Sequence, residues 1–446
     1  MKRTEMNQIS IAERKHSFKQ FLLGYTKDEA IKEASRCLNC KNPSCVQGCP
    51  INNRIPEFIH EIVEDNIMGA YQILLDKTVL PEICGTVCPH NKQCEGNCVK
   101  GIKGDSVTIG ALERYVGEYI RKNNLDDLSY KANNKKVAIV GSGPAGMASA
   151  YYLAKHGYQV TIYEKENYFG GVLSWGIPSF RLDKQIIKNY FEKLQKLNVK
   201  FVMNCNVGID VTLDELKNNN DYVILAIGAL LSNSMNILGE DLPFVVQAKS
   251  FLTELSLLND EELSINDKYG KSILVVGGGN VAMDAARSAI RLKDVEKVSI
   301  IYRRTIEEMP ANKEELNQAI EEGVEFITLT NPIKIHEDHK VECALMQLGE
   351  IDASGRRRPI ESDKEHIFID VDTVIMAIGF NNDPLICDKT QGLQKDNKGK
   401  IVVNNNYETS LKNVYAVGDS VNGPDRVVIA MKQALIACRH IIENNN

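Results

Sequence analysis

Eight cysteines between Cys37 and Cys98 constrain this chain more than any other feature. They fall in two groups. The first reads C-x2-C-x4-C-x3-C-P (Cys37, Cys40, Cys45, Cys49, then Pro50), the second C-x3-C-P-x4-C-x3-C (Cys84, Cys88, Cys94, Cys98, with Pro89 after Cys88). Cys205, Cys343, Cys387 and Cys438 are isolated. Short loops that crowd soft thiolates suit an iron–sulfur cubane, and bacterial ferredoxins use a C-x2-C-x2-C-x3-C-P run. Two structural zinc sites of four thiolates each are the rival, and disulfides belong to an oxidising compartment. In two-cluster ferredoxins the cysteine before the proline serves the other cluster. Spacing therefore leaves both a four-and-four division and a crossed one open.

Length and composition narrow the rest. A chain of 446 residues suggests roughly two to four domains at ~150 residues each. Its 43% hydrophobic and 25% charged fractions exclude wholesale disorder. Lysine and arginine total 53 against 59 acids, a net charge of −6, which disfavours nucleic acid or an anionic membrane as a partner. No apolar run approaches the ~20 residues of a spanning helix. The start, Met1-Lys2-Arg3-Thr4-Glu5, lacks the apolar core of a signal peptide. A cytoplasmic protein is expected.

Residues up to about 132 read as helices joined by irregular metal loops. Thr26-Lys27-Asp28-Glu29 is a capping box, and one helical stretch from about Pro56 to Leu75 separates the cysteine groups. After the polar linker Lys131–Lys136, strands alternate with helices, the pattern of parallel α/β architecture. Ile186, Ile187, Tyr190, Phe191 and Leu194 recur at helical period as a core-facing stripe.

Two dinucleotide fingerprints sit in this part. Strand Lys136–Val140 runs into Gly141-Ser142-Gly143-Pro144-Ala145-Gly146, a helix follows, and the next strand, Val160–Tyr163, ends in Glu164. The glycines let backbone amides approach a pyrophosphate at a helix N-terminus, and Glu164 is placed to accept ribose hydroxyls. Far downstream, the strand Asn413–Val417 ends in Gly418-Asp419, where flavoproteins with two dinucleotide domains hold the ribityl chain. FAD is therefore assigned to the first fingerprint, with the second nucleotide domain inserted. The second fingerprint, Gly277-Gly278-Gly279-Asn280-Val281-Ala282, follows strand Ser272–Val276. Its next strand, Val298–Tyr302, ends not in an acid but in Arg303-Arg304. Two guanidiniums suit the 2′-phosphate of NADP(H), with Lys313 as a third positive charge; a solvated basic turn is the bland alternative. Because zinc carries no electrons, flavin and nicotinamide on one chain favour iron–sulfur. The loop after Glu164 has no cysteine pair, so thioredoxin-reductase-like chemistry is disfavoured. The expected fold is α/β: a helical iron–sulfur domain over 1–132, a discontinuous FAD domain over 133–242 and 383–446, and an NADP(H) domain over 243–382.

These residues also carry a resemblance. Gly24-Tyr25-Thr26, Arg36-Cys37-Leu38-Asn39-Cys40, Gly48-Cys49-Pro50, Cys84-Gly85-Thr86-Val87-Cys88-Pro89, Gly110-Ala111-Leu112-Glu113-Arg114, Gly176-Ile177-Pro178-Ser179-Phe180-Arg181-Leu182, Tyr302-Arg303-Arg304 and Glu308-Met309-Pro310-Ala311 resemble the small (beta) subunit of NADPH-dependent glutamate synthase. The same module forms the N-terminal part of dihydropyrimidine dehydrogenase and one subunit of a bifurcating NADH-dependent ferredoxin:NADP oxidoreductase. The resemblance covers nearly the whole chain. It implies two [4Fe-4S] clusters, one on Cys37, Cys40, Cys45 and Cys98, the other on Cys49, Cys88, Cys94 and Glu113, with Cys84 a neighbour. It further implies Gly170, Gly171, Arg181, Val207 and Val427 at the FAD, and Ala377, Ile378 and Gly379 at the nicotinamide nucleotide. No catalytic side chain is expected, because the cofactors carry the hydride transfer. The implied role is the electron-input subunit of glutamate synthase, serving a second redox subunit. The alternative is a ferredoxin- or sulfide-linked NADP oxidoreductase, including a bifurcating complex; a nucleotide-binding scaffold without turnover is the third reading.

Overall fold

The structure is a computed structural model that describes residues 2–258, 262–263, 267–353 and 355–445. The front quarter is built from helices Lys27–Ala34, Ser44–Gly48, Ile55–Val63, Ile67–Leu75, Pro81–Val87 and Ile109–Lys122, with three single 3-10 turns between Pro89 and Lys103. Thr26 caps the first of these helices with the full reciprocal box to Glu29. The stretch expected as one helix from Pro56 to Leu75 is two. Asp65 takes a left-handed backbone (φ 57°), and Asn66 caps the second helix by accepting from the Gly69 amide. A polar Glu64-Asp65-Asn66 run offers the backbone local partners that compete with helix continuation. Ile55, Phe58, Ile59, Ile62, Leu74, Leu112 and Val116 fill the core between these helices.

Two parallel sheets follow. The first contains β1 (Lys136–Val140), β2 (Gln159–Tyr163), β3 (Lys200–Val202) and β4 (Tyr222–Leu225). A strand from the far end of the chain, Val414–Ala416, adds beside β4 in parallel. Two short strands, β5 (Leu231–Ser232) and Phe380–Asn381, pair antiparallel where the chain leaves and re-enters this sheet. The second sheet is built from β6 (Val245–Gln247), β7 (Ser272–Val276), β8 (Lys297–Tyr302), β9 (Glu325–Thr328) and a fifth strand, Thr373–Met376, that lies between β6 and β7. An antiparallel meander is inserted before that fifth strand: β10 (Thr330–Ile335), β11 (Lys340–Ile351), β12 (Arg357–Glu361) and β13 (Ile367–Asp370). Completing the numbering, Thr373–Met376 is β14, Phe380–Asn381 β15 and Val414–Ala416 β16. The strand orders are β16-β4-β1-β2-β3 and β6-β14-β7-β8-β9. In both, the glycine fingerprint leaves a central strand, where the crevice of an open parallel sheet forms.

The domains are locked together around Phe180 and Arg181. Phe180 lies under the guanidiniums of Arg291 and Arg287, 4.0 and 4.8 Å from its ring centre. Both arginines bond the carboxylate of Glu322 at 2.7–2.9 Å, and all three side chains are buried. Burial alone would raise the Glu322 carboxyl, but the hydrogen bonds from Arg291 and Arg287 outweigh it and hold it at about 2. Its stabilisation is therefore complete above the ~4.3 of an unfolded glutamate and fades as pH falls toward about 2. Glu322→Ala leaves two buried guanidiniums unpaired, and urea unfolding at pH 7 is expected to show a loss of ~3–5 kcal/mol.

Candidate functional site

The first fingerprint forms one wall of an elongated cleft. Gly141 turns the chain out of β1 with φ 99°, and a Cβ there would sit 2.4 Å from the Ala226 carbonyl oxygen. Gly146 packs behind the loop, where a Cβ would come within 1.9 Å of Gly141 O. At Gly143 a Cβ would meet nothing within 4 Å, so this position keeps the mouth of the loop open for a ligand's backbone approach. Gly143 caps the 12-residue helix Pro144–Lys155, with Pro144 in its first turn. The amides and dipole of this helix end favour an anion there.

The loop is pinned by two of its expected partners. Glu164 is buried, and its Oε2 accepts from the Ser142 amide at 2.9 Å and the Ser142 hydroxyl at 2.6 Å. Its Oε1 accepts from the Glu166 amide at 3.0 Å. Ser142 Oγ in turn accepts from the Gly170 amide at 3.0 Å. Gly170 and Gly171 both have positive φ, and a Cβ on Gly171 would sit 2.8 Å from Gly143 Cα. The two glycine turns thus close on each other as a cradle that any side chain would obstruct. Asp419 enters from the end of β16. Burial pushes its carboxyl up to about 7, against the hydrogen bond it accepts from the Asp425 amide. A carboxylate so placed gains from hydroxyl donors.

Gly141–Ala145, Glu164, Gly171, Val207, Gly418, Asp419 and Val427 line this cleft. So do residues without a local sequence signal: Trp175, Cys205, Phe380 and Arg426. Trp175 and Phe380 meet edge to face, 5.9 Å between centroids at 80°, although 205 residues separate them in the chain. Arg181 is not among the lining residues. Its Nη1 donates to both oxygens of Asp284 at 2.6 and 2.7 Å, and its Nη2 to Glu315. The residue expected at the flavin thus ties the first sheet's domain to two helices of the second.

The second fingerprint repeats the geometry. Gly277 leaves β7 with φ 141°, and a Cβ would lie 2.3 Å from Ala377 O. Ala377, just past the end of β14, therefore backs this loop, with Ile378 and Gly379 following it in the chain. Gly279, like Gly143, has open space where a side chain would project. Asn280 opens the helix Asn280–Ala289 and accepts from the Asn312 amide at 2.9 Å, which brings neighbouring Lys313 to the same end. Ala282 is buried, whereas Val281 reaches into the first cleft.

The arginine pair divides. Arg303 is exposed. Arg304 is buried and committed: Nε donates to Arg357 O and Nη2 to Asp352 Oδ2, both at 2.6 Å. It braces the β11–β12 hairpin. That hairpin brings Arg356 to Tyr302 Oη (3.5 Å) and Arg357 to Glu308 Oε1 (3.1 Å). Tyr302 packs on Gly278. Arg356 thus reaches the tyrosine that packs on Gly278 from far along the chain, which sequence spacing could not place there.

The eight front cysteines converge as two sets. Cys98 interacts electrostatically with Cys37 and Cys45, and these line one small recess with Cys40. Cys49, Cys88, Cys94 and Glu113 form the second set. Cys84 is equally a neighbour of this second set, beside Cys88 and Cys49. Burial pushes the Cys45 thiol up to about 12 and Cys49 to about 11. Glu113 Oε1 is buried without a hydrogen-bond partner, and burial raises its carboxyl to about 8. Apolar surroundings that crowd would-be anions fit a highly charged iron core, which stabilises thiolates as soft ligands. The 12 cysteines are free of disulfides.

Residues 135–434 match the family described as pyridine nucleotide-disulphide oxidoreductase. Residues 14–125 match dihydropyrimidine dehydrogenase domain II, 4Fe-4S cluster. The glutamate synthase [NADPH] small chain of Escherichia coli (strain K12) is 35% identical over 94% of this chain and 92% of that protein. The NADPH-Fe(3+) oxidoreductase subunit beta of Geobacter sulfurreducens is 36% identical over 96% of this chain and 67% of its own length. Among solved structures, Mycobacterium tuberculosis FprA in complex with NADPH is 24% identical with a TM-score of 0.58, over 70% of this chain and 85% of that one; it shares the fold.

The second thiolate set yields a test of its fourth ligand. Glu113→Ala is expected to lower iron and sulfide content and change the electron paramagnetic resonance of one cluster, while Cys84→Ala leaves both clusters in place. The reverse pattern makes Cys84 the ligand.

Proposed function

The chain belongs to the pyridine nucleotide-disulphide oxidoreductase family and is an NADPH-dependent FAD and iron–sulfur oxidoreductase; from that premise we propose that it is the electron-input subunit of a glutamate synthase, serving a separate large subunit. The observation that carries this reading is the meeting of the two fingerprints: Val281, from the second glycine loop, lines the cleft of the first. Near-complete mutual coverage with a glutamate synthase small chain supports the choice of partner.

The chemistry supplied by the bound groups is hydride exchange between nicotinamide and flavin and single-electron carriage by the 4Fe-4S centres. The protein's part is to bind, orient and insulate. Gly141–Gly146 and Gly277–Ala282 would offer backbone amides to the two pyrophosphates. Glu164 and Asp419 would accept hydroxyls of the FAD, and Trp175 and Phe380 give the cleft an apolar wall that keeps water out. Cys205 is the one cysteine lining the cleft among the described residues, so a dithiol relay against the flavin has no second member there. Cys37, Cys40, Cys45 and Cys98 would hold one cluster, and Cys49, Cys88, Cys94 and Glu113 the other.

Arg303 is the residue we assign to the 2′-phosphate. The unmutated protein is expected to favour NADPH over NADH, and Arg303→Ala to cut the ratio of kcat/KM values by roughly 10–100-fold, the worth of a charge-assisted contact at ~1.5–3 kcal/mol. An NADH preference before mutation contradicts the assignment. The partner is tested by anaerobic co-purification followed by identification of the bound subunit. A glutamate synthase large chain supports the first reading; a flavoprotein or ferredoxin favours the second, an NADP oxidoreductase with another acceptor. That second reading draws on the likeness to the NADPH-Fe(3+) oxidoreductase subunit.

A further inference from the structure

The stretch between Cys88 and Cys94 does more than space two thiolates, because it reaches the second nucleotide loop. Its single turn, His90–Lys92, is closed by the amides of Lys92 and Gln93, which donate to Pro89 O at 2.9 Å and His90 O at 3.0 Å. The turn is wedged from two sides. A Cβ on Gly96 would sit 2.1 Å from Asn91 O, and one on Gly110 would come within 2.3 Å of the His90 ring. Gly110 lies on the helix Ile109–Lys122 that also carries Glu113. The backbone of Asn91 is thus fixed by the same elements that gather the second cysteine set.

From this turn the Asn91 side-chain amide donates to Asn312 Oδ1 at 3.0 Å, across 221 positions of chain. Asn312 is buried, and it holds the second glycine loop. Its backbone amide donates to Asn280 Oδ1 at 2.9 Å, and the preceding Ala311 amide donates to Gly278 O at 3.2 Å. Asn312 Oδ1 also accepts from the Glu314 amide at 3.3 Å, capping the helix Lys313–Glu321. Asn91 to Asn312 and Asn312 to Asn280 therefore form a hydrogen-bonded path from the cysteine loop to the nucleotide loop. The path does not pass through the first cleft, since neither Asn91 nor Asn312 lines it.

We infer that Asn91 is a positioning residue for NADP(H): acting through Asn312, it sets the Gly278-Gly279-Asn280 backbone for the nucleotide and couples nucleotide binding to the loop of the second cysteine set. The inference rests on the assignment of Gly277–Ala282 to the nicotinamide nucleotide, and it does not depend on which partner takes the electrons. Backbone amides aimed at a pyrophosphate lose strength steeply when distance or angle changes, so a loop held on its far side by Ala311 and Asn312 binds better than one left to drift. The coupling is reciprocal. Whatever the front turn contributes to nucleotide affinity, bound nucleotide returns to the front turn.

The test uses anaerobically purified holoenzyme and NADP+, which binds without reducing the flavin. By calorimetry, Asn91→Ala is expected to weaken NADP+ about three- to tenfold, the worth of one neutral hydrogen bond. KM for NADPH, with ferricyanide as acceptor, should rise by a similar factor while kcat changes little. In an Asn312→Ala background, which lacks the shared oxygen, Asn91→Ala should cost nothing further. Hydrogen exchange over residues 89–94 is expected to slow when NADP+ saturates the unmutated protein, and to be indifferent to NADP+ in either single variant. Iron and sulfide content is the control, and if Asn91→Ala lowers it, Asn312→Ala decides alone. Unchanged NADP+ affinity, additive losses in the double variant, or exchange over 89–94 that ignores NADP+ in the unmutated protein overturns the positioning role. Gly279→Val separates this from the reading beneath it. NADP+ binding that survives Gly279→Val removes the nucleotide assignment and Asn91's role together; binding lost there but intact in Asn91→Ala removes Asn91 alone.

Discussion

Gathering soft, ionisable sulfur in a nearly dry place is the demand that organises the front of this molecule. Thiols there are pushed toward their neutral form by burial and by one another, as at Cys45 and Cys49. As thiols they pack like small apolar groups, but as thiolates they need a compensating positive charge such as a metal core. The domain that does the crowding has little regular structure at the cysteines themselves, only short helices and single turns. Its rigidity comes from behind, from the Ile55–Val63 and Ile109–Lys122 helices, whose apolar faces form one core. The same helix carries Glu113 beside Cys49, Cys88 and Cys94.

The second organising contact is the insertion of Phe180 and Arg181 between the domains. Phe180 is held under two arginines that Glu322 neutralises, and Arg181 pairs with Asp284 and Glu315. Asp284 lies on the helix that opens at the second glycine loop. Orientation of the nicotinamide domain is therefore tied, through one helix, to the segment that follows the Gly170-Gly171 turn. Buried ion networks of this kind add less to net stability than to a unique arrangement, because desolvation offsets much of their attraction. In a protein with two nucleotide loops on separate sheets, arrangement is what matters.

Much of the fold was legible because its signals are local. A buried strand, a glycine turn and a helix start lie within ~15 residues and announce a nucleotide loop in either sheet. The capping box at Thr26 was likewise readable from four residues. The helix expected across Pro56–Leu75 was not, since apolar period continues through a break that polar side chains make. The site was legible in proportion to its dependence on backbone. Gly141–Ala145, Glu164 and Asp419, far apart in the chain, line one cleft. Side-chain partners were not legible in this way: Arg181 pairs with Asp284, Arg304 with Asp352, and Arg356 and Arg357, at the start of β12, meet Tyr302 and Glu308.

By itself the sequence determined the kinds of chemistry present: crowded sulfur, two glycine loops that only small residues allow, and a basic strand end without a competing acid. Those are properties of residue type and short spacing. Which cysteines stand together, and which of Arg303 and Arg304 is exposed, were decided only by tertiary packing. The physical reason is that a charged or ligating group acts on whatever lies within a few ångströms of it. Its neighbours there, Cys98 for Cys37 or Asp284 for Arg181, come from distant stretches of chain.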